Sequence, residues 1–202
     1  MDITPKYYSD YRSELKSGDV VAWNQVPDNL PFFTKMVVWV VTKALRSPYY
    51  HIGVVWRTNN RVLIIEASPP RCRIDVLSRR GSFVHLKTGL KWSKAVENDL
   101  LEYVGKPYSI WEAVLVPFKI KAVKNRAWYC SELVKDFFNK EGMYVEGISP
   151  EDVLISLAEE TGNYITPVVM DHHVERTVAE DEKEFNKIAK VAEKTESKII
   201  EN

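Results

Sequence analysis

Cys130 opens the run Cys130-Ser131-Glu132-Leu133-Val134, near the start of a segment whose apolar residues Leu133, Val134, Phe137 and Phe138 recur at helical spacing. A cysteine at a helix start meets free backbone N–H groups and the positive end of the helix dipole, and both favour thiolate over thiol. Nucleophilic catalysis needs that thiolate and a nearby base. The alternative is an inert structural thiol, because free cysteine is among the most buried residue types. Position alone favours that blander role, so the decision rests on whether a base and an orienting acid can reach the sulfur.

His51 is the candidate base. It begins HIGVVW, one of two β-branched runs; the other is RVLIIEA, and Arg57-Thr58-Asn59-Asn60 separates them. This pattern predicts a hairpin. If Asn59 and Asn60 centre a two-residue turn, Gly53 stands opposite Glu66. His51 and Gly53 share a face, because strand side chains alternate with period two. Glu66 then lies diagonally from His51, about 7–8 Å between backbones and within reach of long side chains. Gly53 has no side chain to obstruct the contact. A carboxylate ending an apolar strand is costly to bury without a partner, and His51 is the obvious one. A slip of one residue in register would destroy the pairing. The expected set is nucleophile, base and orienting carboxylate: Cys130, His51 and Glu66.

The elements that must hold these groups are legible in outline. Ser17-Gly18-Asp19 is a turn before a short strand, Val20 to Trp23. A largely buried helix fits Phe32 to Leu45, ended by Ser47-Pro48. After the hairpin, Pro69-Pro70 stops the second strand, and Arg73 to Leu77 and Ser82 to Leu86 read as two more strands. Lys91 to Val104 fits a helix and Gly105 to Tyr108 a turn. Pro117 leaves Ile110 to Val123 ambiguous. Trp128 to Lys140 is amphipathic, Ser149-Pro150-Glu151-Asp152 starts another helix, and Tyr164 to Met170 suits a last strand. From Asp171 the composition turns polar and charged, with Phe185, Ile188 and Val191 as a narrow apolar stripe. The chain therefore divides into a domain at 1–170 and a charged helical tail at 171–202. The tail is expected to lie loosely on the surface or to dock on a second protein chain.

Six pieces of the chain, in order, resemble the circularly permuted NlpC/P60 (papain-like) cysteine hydrolases, the YiiX-like group in particular. They are Gly18-Asp19-Val20-Val21, His51-Ile52-Gly53-Val54-Val55, Ile65-Glu66-Ala67, Tyr103-Val104-Gly105-Lys106-Pro107-Tyr108, Tyr129-Cys130-Ser131-Glu132-Leu133-Val134 and Ser149-Pro150-Glu151-Asp152-Val153. The resemblance spans about Gly18 to Leu157. It implies an α+β, papain-like fold with an antiparallel sheet packed against helices, with Cys130 as nucleophile, His51 as base and Glu66 as the third polar residue. Members of that superfamily hydrolyse amides in cell-wall peptides or act on lipid acyl groups, and some are viral. The YiiX-like group commonly begins with an export signal. The polar N-terminus here differs from one, which speaks against a periplasmic cell-wall role.

The expected activity is a thiol hydrolase cleaving a peptide or isopeptide-like amide through an acyl-enzyme. The alternatives are a lipid acyl hydrolase or acyltransferase of the same fold, favoured if Phe32 to Leu45 is exposed, and a non-catalytic binding module. Basic and acidic residues number 28 each, so global charge gives no reason to expect nucleic acid or an anionic membrane as partner. Phe32 to Leu45 is broken by Thr34, Lys35, Thr42 and Lys43 and is shorter than the roughly 20 residues of a membrane span. Peripheral membrane contact stays open. Without an apolar leader the expected location is cytoplasmic or particle-associated. Two cysteines are too few for a disulfide framework. Asp171-His172-His173 lacks a second ligand cluster with zinc-like spacing. No metal or cofactor is expected. His85 is expected to be structural, with no acid beside it, and Cys72 an inert thiol. Lys119, Lys121, Lys124 and Arg126 read as a solvated basic face, and Tyr108 and Tyr129 as packing residues or oxyanion-stabilising hydroxyls.

Overall fold

The structure, a computed structural model, describes residues 4–26, 45–109 and 127–171, together with 35, 38, 42–43, 186–187, 190–191, 193–195 and 197–198. The described residues form a mixed α+β fold. In chain order the elements are β1 (Lys6–Tyr7), α1 (Tyr8–Tyr11), β2 (Val20–Trp23), β3 (His51–Arg57), β4 (Val62–Ser68), β5 (Arg71–Val76) and β6 (Phe83–Leu86), then α2 (Lys94–Leu101), α3 (Cys130–Lys140), α4 (Pro150–Thr161) and β7 (Ile165–Val169). Described positions at 35–45 and 186–198 are helical as well. The seven strands form one sheet in the order β1-β7-β6-β2-β3-β4-β5. It is antiparallel except at one edge, where β1 runs parallel to β7.

The hairpin takes the register that a two-residue Asn59-Asn60 turn dictates. Val54 pairs with Ile65, Val55 with Ile64, Trp56 with Leu63 and Arg57 with Val62. The Thr58 N–H closes the turn on the Arg61 carbonyl at 2.9 Å. Period-two alternation then sorts the β-branched residues onto two faces. Ile52, Val54, Ile65 and Ala67 join Leu133, Val134, Phe137, Phe138, Leu154 and Leu157, which places α3 and α4 on one side of the sheet. Val55, Val62, Ile64, Val21, Trp23 and Phe83 pack on the other side with Tyr8, Leu15 and Leu77. Because both faces are covered, β2 is buried at every position and reads as continuously apolar.

Helix starts follow their caps. Ser93 accepts from the Val96 N–H at the head of α2. Ser149 and Asp152 form a reciprocal capping box at the head of α4, with Pro150 in its first turn. At α3 the sequence pattern suggested a start at Trp128. Trp128 instead forms a bridge to Tyr108 and exchanges backbone hydrogen bonds with Pro107 and Ser109 at 3.0 Å each. That extended clip delivers the chain to Cys130, the first helical residue, through a Tyr129 N-cap that supplies no side-chain bond.

The tail contacts its own domain. Thr195 is fully buried, its hydroxyl 3.1 Å from that of Tyr49, and Val191 packs against the core that includes α3. Lys198 Nζ reaches Glu151 at 2.8 Å. These contacts replace the expectation of a loosely lying tail. We expect deletion of residues 171–202 to lower the thermal midpoint by about 5 °C or more, from lost burial and one lost buried hydrogen bond. Calorimetry checks this, and an unchanged midpoint would mean the contacts carry no weight.

Among the described residues no helix is long and apolar enough to cross a membrane. Most of Phe32 to Leu45, all of Ile110 to Arg126 with its basic run, and His172-His173 lie outside the described residues.

Candidate active site

Cys130, His51 and Glu66 come together at one end of the sheet. The hairpin supplies two of them. Gly53 lies beside Glu66, and a Cβ built on Gly53 would meet the Ile65 carbonyl oxygen at 3.2 Å and the Glu66 Cβ at 3.4 Å. The missing side chain is what lets the two strands seat the carboxylate diagonally under the imidazole. His51 Nε2 lies 2.7 Å from Glu66 Oε2. Cys130 hydrogen-bonds the same imidazole from the head of α3, which packs on β3 and β4. Replacing Gly53 with Val should cost about 1–3 kcal/mol by overpacking and should also slow Cys130 alkylation, because the new methyls displace Glu66. Chemical denaturation and iodoacetamide kinetics measured together check it; a variant with normal reactivity would show that Gly53 does not govern the site.

Burial and charge set the protonation of the pair. Glu66 is fully buried. Desolvation alone would raise its pKa, but the His51 charge and hydrogen bond, with Arg80 and Arg73 behind them, hold it down at about 2. Desolvation likewise opposes a charge on His51. The Glu66 charge and the hydrogen bonds the ring donates to Cys130 and Glu66 outweigh it and push the imidazole up to about 9. At neutral pH the pair is therefore carboxylate and imidazolium, with Cys130 beside it.

Aromatic rings fix the imidazole from its sides. The Trp23 ring lies 5.6 Å from it and the Tyr50 ring stacks at 5.9 Å. Burial raises the hydroxyl pKa of Tyr50 and of Tyr108, so both stay protonated; Cys130 lies near enough to contribute to each. The backbone ladder of α3 begins with the Leu133 N–H donating to the Tyr129 carbonyl at 3.0 Å. The N–H of Cys130 itself therefore sits at the open end of the helix, where an anion is favoured.

Sequence reasoning missed the far side of Glu66. Its Oε1 accepts from Arg73 Nε at 3.0 Å and from Arg80 Nη2. Asp75 Oδ2 pairs with the same two guanidiniums, 3.7 Å from Arg73 and 3.1 Å from Arg80. The only sequence signal was strand alternation, which puts Arg73 opposite Glu66 across β4 and β5. Arg80, in a turn, carried none.

The other histidine expectation is overturned in part. His85 is fully buried and does have an acid: Asp19 Oδ2 lies 3.0 Å from Nε2, and the Tyr11 hydroxyl lies 3.0 Å from Nδ1. Asp19 also accepts from the Lys16 N–H at 2.8 Å and the Thr88 N–H at 3.3 Å. With both ring nitrogens taken and no exposure, His85 ties the N-terminal segment to the sheet. Cys72 is buried, and burial pushes its thiol up to about 11, which suits an inert role. Among the described residues no group of three or more His, Cys, Asp or Glu side chains could hold a metal ion.

No family model matches the chain, and no curated protein matches it. Among solved structures, the crystal structure of the metalloprotein yiiX from Escherichia coli O157:H7 (DUF1105) is similar, with 19% identity and a TM-score of 0.46 over 82% of this chain and 89% of that one.

Proposed function

We propose that the chain is a thiol hydrolase that cleaves an amide, in a peptide or an isopeptide-like linkage, through an acyl-enzyme on Cys130. The fold we assign to residues 1–170 is the papain-like, circularly permuted NlpC/P60 arrangement. The observation that carries the reading is the convergence of a helix-start cysteine with a histidine whose Nε2 is held by a fully buried carboxylate. A purely structural site has no use for that matched set.

In this mechanism the Cys130 thiolate attacks the carbonyl carbon, and the C=O π electrons move to the oxygen. The Cys130 N–H, at the open helix end, donates to that oxyanion. With Nε2 taken by Glu66, Nδ1 is the nitrogen that serves the reacting atoms. His51 protonates the departing amine as the C–N bond breaks, leaving a thioester and neutral imidazole. The imidazole then takes a proton from water, hydroxide adds to the thioester, and the C–S bond breaks to restore the thiolate. Glu66 stays ionised throughout, orienting the ring and stabilising its charge.

The test is intact-mass analysis after mixing the protein with a panel of activated peptidyl amides and long-chain acyl esters. An acyl adduct on Cys130 from amide substrates, absent in Cys130→Ala, is the expected result. Adducts from acyl esters alone would favour a lipid hydrolase or acyltransferase, and none from either class a binding module.

A further inference from the structure

The buried carboxylate beside His51 is shared unusually widely, and the sharing has a direction. Glu66 spends Oε2 on the imidazole and Oε1 on two guanidiniums. Arg73 is the more exposed of the two, with 44% of its side chain accessible against 17% for Arg80. Arg80 is also held from a second side. Its guanidinium lies 5.8 Å over the Trp23 ring, the ring that flanks His51, and the Trp23 indole N–H donates to the neighbouring Gly81 carbonyl at 3.2 Å. The turn at 77–81 is thus fastened so that one cation is fixed behind Glu66.

The charged and titratable groups around the imidazole come from every element packed there. Among the described residues they are Glu66 on β4, Arg73 and Asp75 on β5, Arg80 in the turn after it, Cys130 on α3, and the neutral Tyr50, just before β3, and Tyr108. The two carboxylates and two guanidiniums balance. A base facing an unshared buried carboxylate would keep its proton so firmly that neutral imidazole, needed to activate water, would be scarce.

We infer that Arg80 is a positioning residue that acts on His51 through Glu66, drawing off part of the carboxylate's charge so that the imidazole can both hold and release a proton. The inference rests on the thiol-hydrolase reading. Asp75 pairs with both guanidiniums, 3.1 Å from Arg80 and 3.7 Å from Arg73, so it does not decide between them; burial and the Trp23 contact make Arg80 the less screened and better fixed cation behind Glu66.

The experiment is a titration of the His51 imidazole by NMR in the full chain, its signal assigned by its loss in His51→Ala. In Arg80→Met the midpoint should rise by about one pH unit, the size expected on removing a unit charge one side chain away in a partly screened interior. Arg80→Lys should restore a midpoint close to that of the unsubstituted chain. A role confined to holding the turn in place would leave the midpoint where it was. If Arg80→Met fails to fold, Arg73→Met removes the more exposed cation and should shift the midpoint in the same direction by less. Alkylation of Cys130 by iodoacetamide at about pH 6 is measured in parallel. An unreactive Cys130 in the unsubstituted chain overturns the hydrolase reading. A reactive Cys130 with a midpoint that is unmoved or lowered in the arginine variants overturns this inference alone.

Discussion

His51→Ala is expected to slow alkylation of Cys130 at about pH 6 on the order of 100-fold, and to abolish turnover of any amide substrate. An ordinary free thiol is only about 0.3% thiolate at that pH, and a neighbouring imidazolium favours the reactive form. His51 is that imidazolium, sustained by Glu66 and donating to Cys130 itself. Its removal also takes away the group that protonates the leaving amine in the proposed mechanism. Glu66→Gln should be milder, about 10-fold, because the imidazole stays in place and loses only its counter-charge. Rates that are equal for the two variants, or an unimpaired Glu66→Gln, would contradict the assigned roles.

The same carboxylate should dominate how stability depends on pH. Glu66 is held at about 2, below its ordinary 4.5, so its contribution is complete above about 4.5 and is lost as pH falls from there through about 2. His51 is raised to about 9 from 6.5, so its contribution is complete below about 6.5 and fades as pH rises through about 9. The pair therefore stabilises the fold most between about pH 4.5 and 6.5. Glu66→Gln should flatten both flanks and should cost about 3–5 kcal/mol on the plateau, since it leaves His51 and two guanidiniums without their shared anion. The exposure of Arg73 places the result toward the lower end of that range. Denaturant midpoints across that pH range give the answer. A loss under about 1 kcal/mol, or unchanged flanks, would show that the cluster contributes little to folding.

What could be read from the chain alone was governed by distance along it. The β3–β4 hairpin is local, and its Asn-Asn turn and β-branched runs specified the register that brings Glu66 beside His51. The start of α4 was equally plain, because Ser149, Pro150 and Asp152 act within one turn. The head of α3 was misplaced by two residues, since the bridge between Trp128 and Tyr108 depends on a segment about twenty positions upstream. The two-residue β1 carries no alternation and exists only through pairing with Val168 and Val169. Asp19 escaped because His85 lies far off in sequence, and Arg80 because, although as near to Glu66 along the chain as His51 is, it sits in a turn where no strand alternation ties it to its partner. Thr195 is a polar residue in a charged tail, and only its packing near Tyr49 marks it as buried.

Site-resolved alkylation is the most direct measurement of the central claim. The full chain is treated with limiting iodoacetamide at about pH 6 and the two cysteines are compared by peptide mass. Cys72, buried and pushed up to about 11, is an internal control of similar burial. The expected result is modification at Cys130 at least about 10-fold faster than at Cys72, with the difference abolished by His51→Ala. Equal, slow modification of both cysteines, or fast modification of Cys130 that persists without His51, would contradict a histidine-activated nucleophile.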